Sequence, residues 1–172
     1  QALDVELRPM RGGNLVVLGA RTSIGKSAFA IHLSAEAVKS GGSVASFSLQ
    51  MSEADVWTWY ILATSGVDVR FFEPGHGGDV AWGKVSDAFA AAKDSTLHVH
   101  GPSIGSIPAI HATATQLSKE RPLALVVVDY LQIVRVEKRK GGIREQEVAE
   151  ISRELKAMAN VDVTKNFFVV GG

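Results

Sequence analysis

Cysteine is absent from all 172 residues, which excludes disulfide bonds and zinc sites built on thiolates. Long apolar runs are absent too: none approaches the ~18 residues of a membrane span, and these residues do not predict a signal peptide. Neither sign of charge predominates, because 18 Lys and Arg residues balance 18 Asp and Glu residues. Any contact with a polyanion must therefore come from a local basic patch. We expect a cytoplasmic globular protein.

Hydrophobic residues make up 46% of the chain, enough for one domain with a sizeable core. Predicted strands alternate with predicted helices, and the strands are apolar on both faces. This pattern indicates an α/β fold, a mostly parallel sheet with helices on both faces. The chain begins in mid-pattern and stops after a strand, so we expect 1–172 to be one domain, truncated at both ends. Strands are expected at about 15–19, 43–49, 97–100, 123–128 and 167–170, and helices up to about 40 and at about 53–65, 80–93, 106–119 and 143–160.

One stretch between a predicted strand and a predicted helix has the pattern of a phosphate-binding loop, or P-loop (Walker A). Gly25 lets the backbone approach phosphate, Lys26 would reach the β- and γ-phosphates, and the Ser27 hydroxyl would ligate Mg²⁺. The strict pattern begins with glycine, and alanine takes that position here. The alternative is a chance Gly-Lys-Ser sequence in a turn. The residues expected to hold ATP are Ala20, Arg21, Thr22, Ser23, Ile24, Gly25, Lys26 and Ser27.

A second feature is the acidic residue Asp129, which ends the apolar run 125–128. A carboxylate at the carboxyl end of a buried strand is the Walker B arrangement, and it would hold Mg²⁺ beside the P-loop. The alternative is an aspartate that only starts a turn. Together with the P-loop, the pattern favours Ser27 and Asp129 as the metal-binding pair.

At this point five segments, in chain order, resemble the C-terminal motor domain of DnaB-type replicative helicases. They are 18–30, 47–52, 81–84, 128–132 and 146–156. The Asp-Tyr-Leu-Gln sequence that begins at Asp129 is far more specific than a P-loop, and alanine at position 20 is usual in this family. The resemblance implies a RecA-like P-loop fold and an ATP-dependent DNA helicase. It also implies a ring, expected to be a hexamer, that encircles single-stranded DNA and binds ATP between neighbouring subunits.

One departure from the family concerns Gln50, which stands where the family usually has a water-activating glutamate. A glutamine can orient a water molecule but cannot take its proton. We therefore expect Lys26 and Gln50 to be the catalytic residues and hydrolysis to be slow, with Glu53 as a weak candidate for a replacement base. The family's sensor, arginine finger and primase-binding N-terminal domain have no counterpart in this sequence. A primase or helicase loader would therefore act through regions outside it.

A cationic segment follows the Walker B strand and is predicted to be a loop on the ligand side of the sheet. Its cations suit contacts with the phosphate backbone of single-stranded DNA, and it has no aromatic residue for base stacking. The alternative is a solvated loop without a ligand. The residues expected to bind DNA are Arg135, Lys138, Arg139, Lys140 and Arg144.

Two further functions remain open from the sequence. One is another RecA-like ATPase, of the recombinase or clock-protein kind, although the Asp-Tyr-Leu-Gln sequence argues against it. The other is a slow or non-hydrolysing, nucleotide-dependent module for DNA binding or assembly, which Gln50 favours.

Two minor features complete the hypotheses. His98 and His100 share one face of a predicted strand and would form a zinc site only with further ligands, and one of Trp57 and Trp59 is expected to enter the core.

Overall fold

The computed structural model describes residues 14–19, 21, 24–73, 78–129, 153, 156–157 and 166–171. The described part contains a five-stranded sheet in the order β1-β5-β4-β2-β3, and all paired strands run parallel. The predicted α/β fold with a parallel sheet is therefore confirmed. The strands are β1 (Asn14–Gly19), β2 (Ser43–Ser48), β3 (Leu97–His100), β4 (Leu123–Asp129) and β5 (Asn166–Gly171).

Local sequence signals account for the ends of several helices. Ser52 caps α2 through a capping box with Asp55, as its sequence predicts. Pro108 lies in the first turn of α4, where its missing N–H costs nothing. Gly41, at φ +83°, follows the end of α1. The helices are α1 (Lys26–Lys39), α2 (Glu53–Ser65), a short 3₁₀ helix (Val69–Phe72), α3 (Asp79–Lys93) and α4 (Ile107–Glu120).

The core has two halves, one on each face of the sheet. Along β2, Val44 belongs to one half and Ala45 and Phe47 to the other, because successive side chains of a strand alternate between faces. The half that packs against α4 contains Ala45, Phe47, Leu49, Ile107, Ile110, Ala114, Leu123, Val126 and Val128. The half that packs against α1 and α2 contains Ala30, Ile31, Ala35, Val44, Tyr60, Leu97, Leu125 and Val127. This double burial explains why the strands are apolar on both faces.

The last of the described strands, β5, lies inside the sheet and not at its edge. β5 separates β1 from β4, so that Leu18 pairs with Val170, and Val170 pairs with Asp129. Leu18, the residue before the end of β1, and the Walker B aspartate therefore occupy one row across the sheet. This row brings the carboxyl ends of β1 and β4 to the same edge.

The structure differs from the sequence prediction in a few places. The region predicted as loop between 66 and 78 contains the 3₁₀ helix, whose first turn is capped by Asp68. Trp57 is half-buried and packs edge-on against Tyr60, whereas Trp59 is 40% exposed, as expected of a pair two residues apart. Of the helix predicted at 143–160, only 153 and 156–157 are described, and they are helical. None of the described helices is both long and apolar enough to cross a membrane.

Candidate functional site

The described part of the P-loop leads directly into helix α1. Gly25 is the residue before the helix and has φ +90°, a conformation that residues with a Cβ atom rarely adopt. Nothing lies within 4 Å of the position where a Cβ would stand, so the backbone conformation, not crowding, requires glycine here. A left-handed residue at the start of a helix turns successive N–H groups toward one point, which is how phosphate is bound. Ala20, Thr22 and Ser23 lie outside the described residues.

Lys26, the first residue of α1, extends across the P-loop. Its Nζ donates a hydrogen bond to the carbonyl oxygen of Arg21 at 2.9 Å. Its charge also acts on Asp129, where it favours the ionised carboxylate. The ammonium group therefore contacts the loop and lies near enough to Asp129 to act on its charge, as expected of a phosphate-binding lysine.

Asp129 joins the P-loop to the end of β4. Ser27 and Lys26 of the P-loop both act on its carboxyl group, and the residue is only 6% exposed. Burial raises the pKa of the Asp129 carboxyl, while the Ser27 hydrogen bond and the Lys26 charge lower it by less. A buried carboxylate next to a serine hydroxyl is the oxygen pair that Mg²⁺ takes from a protein when phosphates supply other ligands. The predicted metal-binding pair is thus brought together, and its chemistry fits the ion.

Gln50 lies at the same edge of the sheet, one strand beyond Asp129. Ser48 is the register partner of Asp129, and the N–H of Leu49 donates to the carbonyl oxygen of Asp129 at 2.6 Å. Residues 43–49 are all buried, and Gln50 is the first exposed residue after them. The side chain predicted to hold the attacking water is therefore the one that leaves the sheet edge beside the Asp129 strand.

Glu53, the suggested replacement base, is engaged elsewhere. Its Oε1 accepts a hydrogen bond from the backbone N–H of Gly101 at 2.9 Å. Gly101 follows β3, which lies on the opposite side of β2 from β4. This contact directs Glu53 away from Asp129 and disfavours a role in activating water.

The two strand histidines do not form a metal site in the part of the chain that the structure describes. His100 stacks on the ring of Phe47, with centroids 5.1 Å apart. Burial lowers the pKa of His100, Glu53 opposes that shift, and His98 adds to it. Among the described residues, no group of three or more His, Asp or Glu side chains could hold a metal ion. The zinc hypothesis therefore has no support there.

The predicted DNA-binding loop cannot be placed in this geometry. Its cations lie outside the described residues: Arg135, Lys138, Arg139, Lys140 and Arg144. One residue beside the candidate site, Ser48, was not singled out from the sequence. Ser48 forms the turn that carries Gln50, and a serine at a strand end has no distinguishing pattern before the turn is seen.

A family model described as "DnaB-like helicase C terminal domain" matches residues 1–164. The chain belongs to this family. The match covers both the P-loop and the Asp129 strand, so it agrees with the site geometry and decides against the recombinase and clock-protein alternatives. The RecA-like fold predicted from the resemblance is confirmed with it.

Curated relatives and solved structures extend this finding. The chain is 32% identical over 158 residues to the replicative DNA helicase DnaC of Bacillus subtilis and, equally, to the replicative DNA helicase DnaB of Geobacillus stearothermophilus. Each match covers 91% of this chain but 35% of the relative, so the chain spans about a third of their length. The structure of a DnaB-like replicative helicase, solved with its interactions with primase, superposes with a TM-score of 0.84. That likeness has 23% identity over 94% of this chain and 40% of the other, and it supports the fold alone.

Proposed function

We propose that this DnaB-like domain is the ATP-binding motor of a ring-shaped replicative helicase that moves along single-stranded DNA and unwinds duplex. The observation that carries the proposal is that the buried Asp129, at the end of β4, lies close enough to Ser27 and Lys26 for both to act on its carboxyl group. It supports a Mg²⁺–ATP site assembled from both Walker motifs. Family membership supplies the class of activity, because the relatives that match are replicative helicases.

In the proposed mechanism the P-loop backbone and the start of α1 bind the phosphates through N–H groups. Lys26 exchanges the Arg21 carbonyl for phosphate oxygens and neutralises charge that develops as the γ-phosphate leaves. Ser27 and Asp129 would hold Mg²⁺, which would supply further charge neutralisation when bound. Burial disfavours the ionised form of Asp129, and a bound cation would stabilise that form.

Gln50 has the role of orienting the attacking water in this mechanism. Its carboxamide offers hydrogen bonds but no basicity, so the proton of the water passes to a phosphate oxygen of the substrate and not to the side chain at position 50. Phosphoryl transfer proceeds when the nucleophile is positioned, because its transition state is loose and depends mainly on placement and charge neutralisation. We therefore propose turnover that is slow but not absent.

The proposal extends to partners and cell compartment. The chain is one part of a longer cytoplasmic polypeptide that assembles with copies of itself into a ring, proposed to be a hexamer. The cationic segment 135–144 contacts the DNA backbone, and primase or a helicase loader binds through regions beyond this domain. The relative solved with its primase interactions supports the first of these two partners.

A lysine substitution in the complete protein tests the site. Lys26→Ala should weaken Mg²⁺–ATP binding about 10- to 100-fold, the effect of removing a charge-assisted hydrogen bond, and should abolish turnover. Lys39→Ala is the matched control, since Lys39 is an exposed lysine on the same helix and pairs with Glu36 at 3.6 Å. Calorimetric titration measures the affinity of both variants for Mg²⁺–ATP. Unchanged affinity in Lys26→Ala would contradict the assignment.

Gln50 also favours a second candidate, a module that binds ATP in order to assemble on DNA and does not hydrolyse it. ATP turnover by the complete protein, with and without single-stranded DNA, separates the two. Turnover that rises with DNA supports the motor. Nucleotide binding with assembly on DNA but without turnover supports the assembly module.

A further inference from the structure

The turn that carries Gln50 is fixed by contacts on both sides of that residue. Before it, the N–H of Leu49 donates to the carbonyl oxygen of Asp129 at 2.6 Å. After it, the N–H of Met51 donates to the hydroxyl oxygen of Ser48 at 3.1 Å. The chain thus turns within four residues, and Gln50 has its neighbours on both sides held while its own side chain is exposed.

Ser48 is a buried polar residue at the edge of the sheet where β4 ends in Asp129. It is the last residue of β2, is 2% exposed, and pairs in register with Asp129. Within the described residues its hydroxyl has one hydrogen-bond partner, the Met51 N–H. A buried hydroxyl must be hydrogen-bonded to be tolerated, and this one is used to close the turn.

The next turn of the chain does not depend on this bond. Ser52 caps α2: its hydroxyl oxygen accepts a hydrogen bond from the N–H of Asp55, and the Asp55 carboxylate accepts one from the N–H of Ser52. The start of α2 is therefore fixed by its own residues. Ser48 sets only the segment between the strand end and the helix, which is the segment that contains Gln50.

We propose that Ser48 is a positioning residue for ATP hydrolysis, whose hydroxyl fixes the 48–51 turn and thereby holds the Gln50 carboxamide beside the Asp129 strand. The inference rests on the proposed function, because it takes Gln50 to orient the attacking water. Placement matters more for a glutamine than for a glutamate here, since orientation is all that a carboxamide contributes.

The effect of removing the hydroxyl follows from the strength of one hydrogen bond. The net contribution of such a bond shifts a conformational equilibrium roughly three- to tenfold. Ser48→Ala should therefore lower the single-turnover hydrolysis rate of the complete protein, with single-stranded DNA, by about three- to tenfold. Affinity for a non-hydrolysable ATP analogue should not change, because the P-loop and Asp129 are untouched.

Ser46→Ala is the matched control. Ser46 lies two residues earlier on the same face of β2 and is 7% exposed, and among the described residues it has no hydrogen bond to the turn. Its replacement removes the same atom from the same strand, so the rate should remain that of the unmodified protein. If both alanine variants slow hydrolysis equally, the effect comes from losing any serine hydroxyl of β2 and not from the contact between Ser48 and Met51. That result would overturn the proposal.

A double substitution tests whether Ser48 acts through Gln50. Gln50→Ala should lower the rate at least as much as Ser48→Ala, and the two together should be no slower than Gln50→Ala alone. Additive effects would overturn the positioning role. If Gln50→Ala slows hydrolysis and Ser48→Ala does not, the proposal for Ser48 fails while the role of Gln50 stands. If neither changes the rate, the placement of Gln50 in the proposed function fails as well.

Discussion

Replacing Gln50 by glutamate should speed hydrolysis without tightening ATP binding. The side chain is exposed, and no hydrogen bond to it is made among the described residues, so the near-isosteric change breaks no contact there. An exposed glutamate is ionised at neutral pH and can accept the proton of the attacking water. A positioned general base contributes about 10²–10⁴-fold, or roughly 3–5 kcal/mol of barrier. We expect a single-turnover rate increase in that range.

The assay is single-turnover ATP hydrolysis by the complete protein with single-stranded DNA and saturating Mg²⁺. Gln116→Glu, which makes the same chemical change at an exposed position on α4, controls for the added charge. It should leave the rate unchanged. If the unmodified protein is already fast and Gln50→Glu is no faster, Gln50 does not face the attacking water and the placement of the catalytic centre is wrong.

The remaining predictions concern Asp129 and the cationic segment. Burial raises the pKa of Asp129, so the stability that this residue contributes is present below its ordinary pKa and disappears as pH rises through the raised one. Asp129→Asn should therefore raise the temperature midpoint of unfolding of this domain at pH 7 without nucleotide, and it should weaken Mg²⁺-dependent ATP binding. If the variant and the unmodified protein unfold at the same midpoint at pH 7, burial of the ionised carboxylate has no cost. Neutralising Lys138, Arg139 and Lys140 together should weaken binding to single-stranded DNA of every sequence. The slope of the logarithm of the binding constant against the logarithm of salt concentration should fall by up to about 0.7 for each phosphate that is no longer neutralised. An unchanged slope would mean that the segment is only solvated.

Signals confined to a few neighbouring residues predicted much of this structure. The serine and aspartate three residues apart at the start of α2 predicted its capping box, and the helix occupies the expected residues. The glycine pair after position 40 predicted the end of α1, and Gly41 takes the left-handed conformation there. Such features are visible in a sequence because the contacts that cause them join residues within one or two turns.

The candidate phosphate- and metal-binding residues were predictable for a related reason. Gly-Lys-Ser and the strand-ending Asp129 are residue types that phosphate and Mg²⁺ demand, and their context identified them before the fold was known. Their proximity was an inference from parallel strands, and the effect of Ser27 and Lys26 on the Asp129 carboxyl group agrees with it. The proposed roles of these residues in hydrolysis remain predictions.

The amino-acid sequence by itself determined the α/β class, the approximate bounds of α2, α3 and α4, the end of α1, and the residue types of the candidate site. Only the tertiary structure decided that β5 lies between β1 and β4, that Glu53 binds the N–H of Gly101, and that Ser48 closes the turn carrying Gln50. The first two of these features join residues far apart in the chain. Many strand orders satisfy the same alternation of strands and helices, so the sequence pattern does not choose among them. The third is local, but a serine hydroxyl has several possible partners, and the choice among them depends on how the strand end is buried against its neighbours.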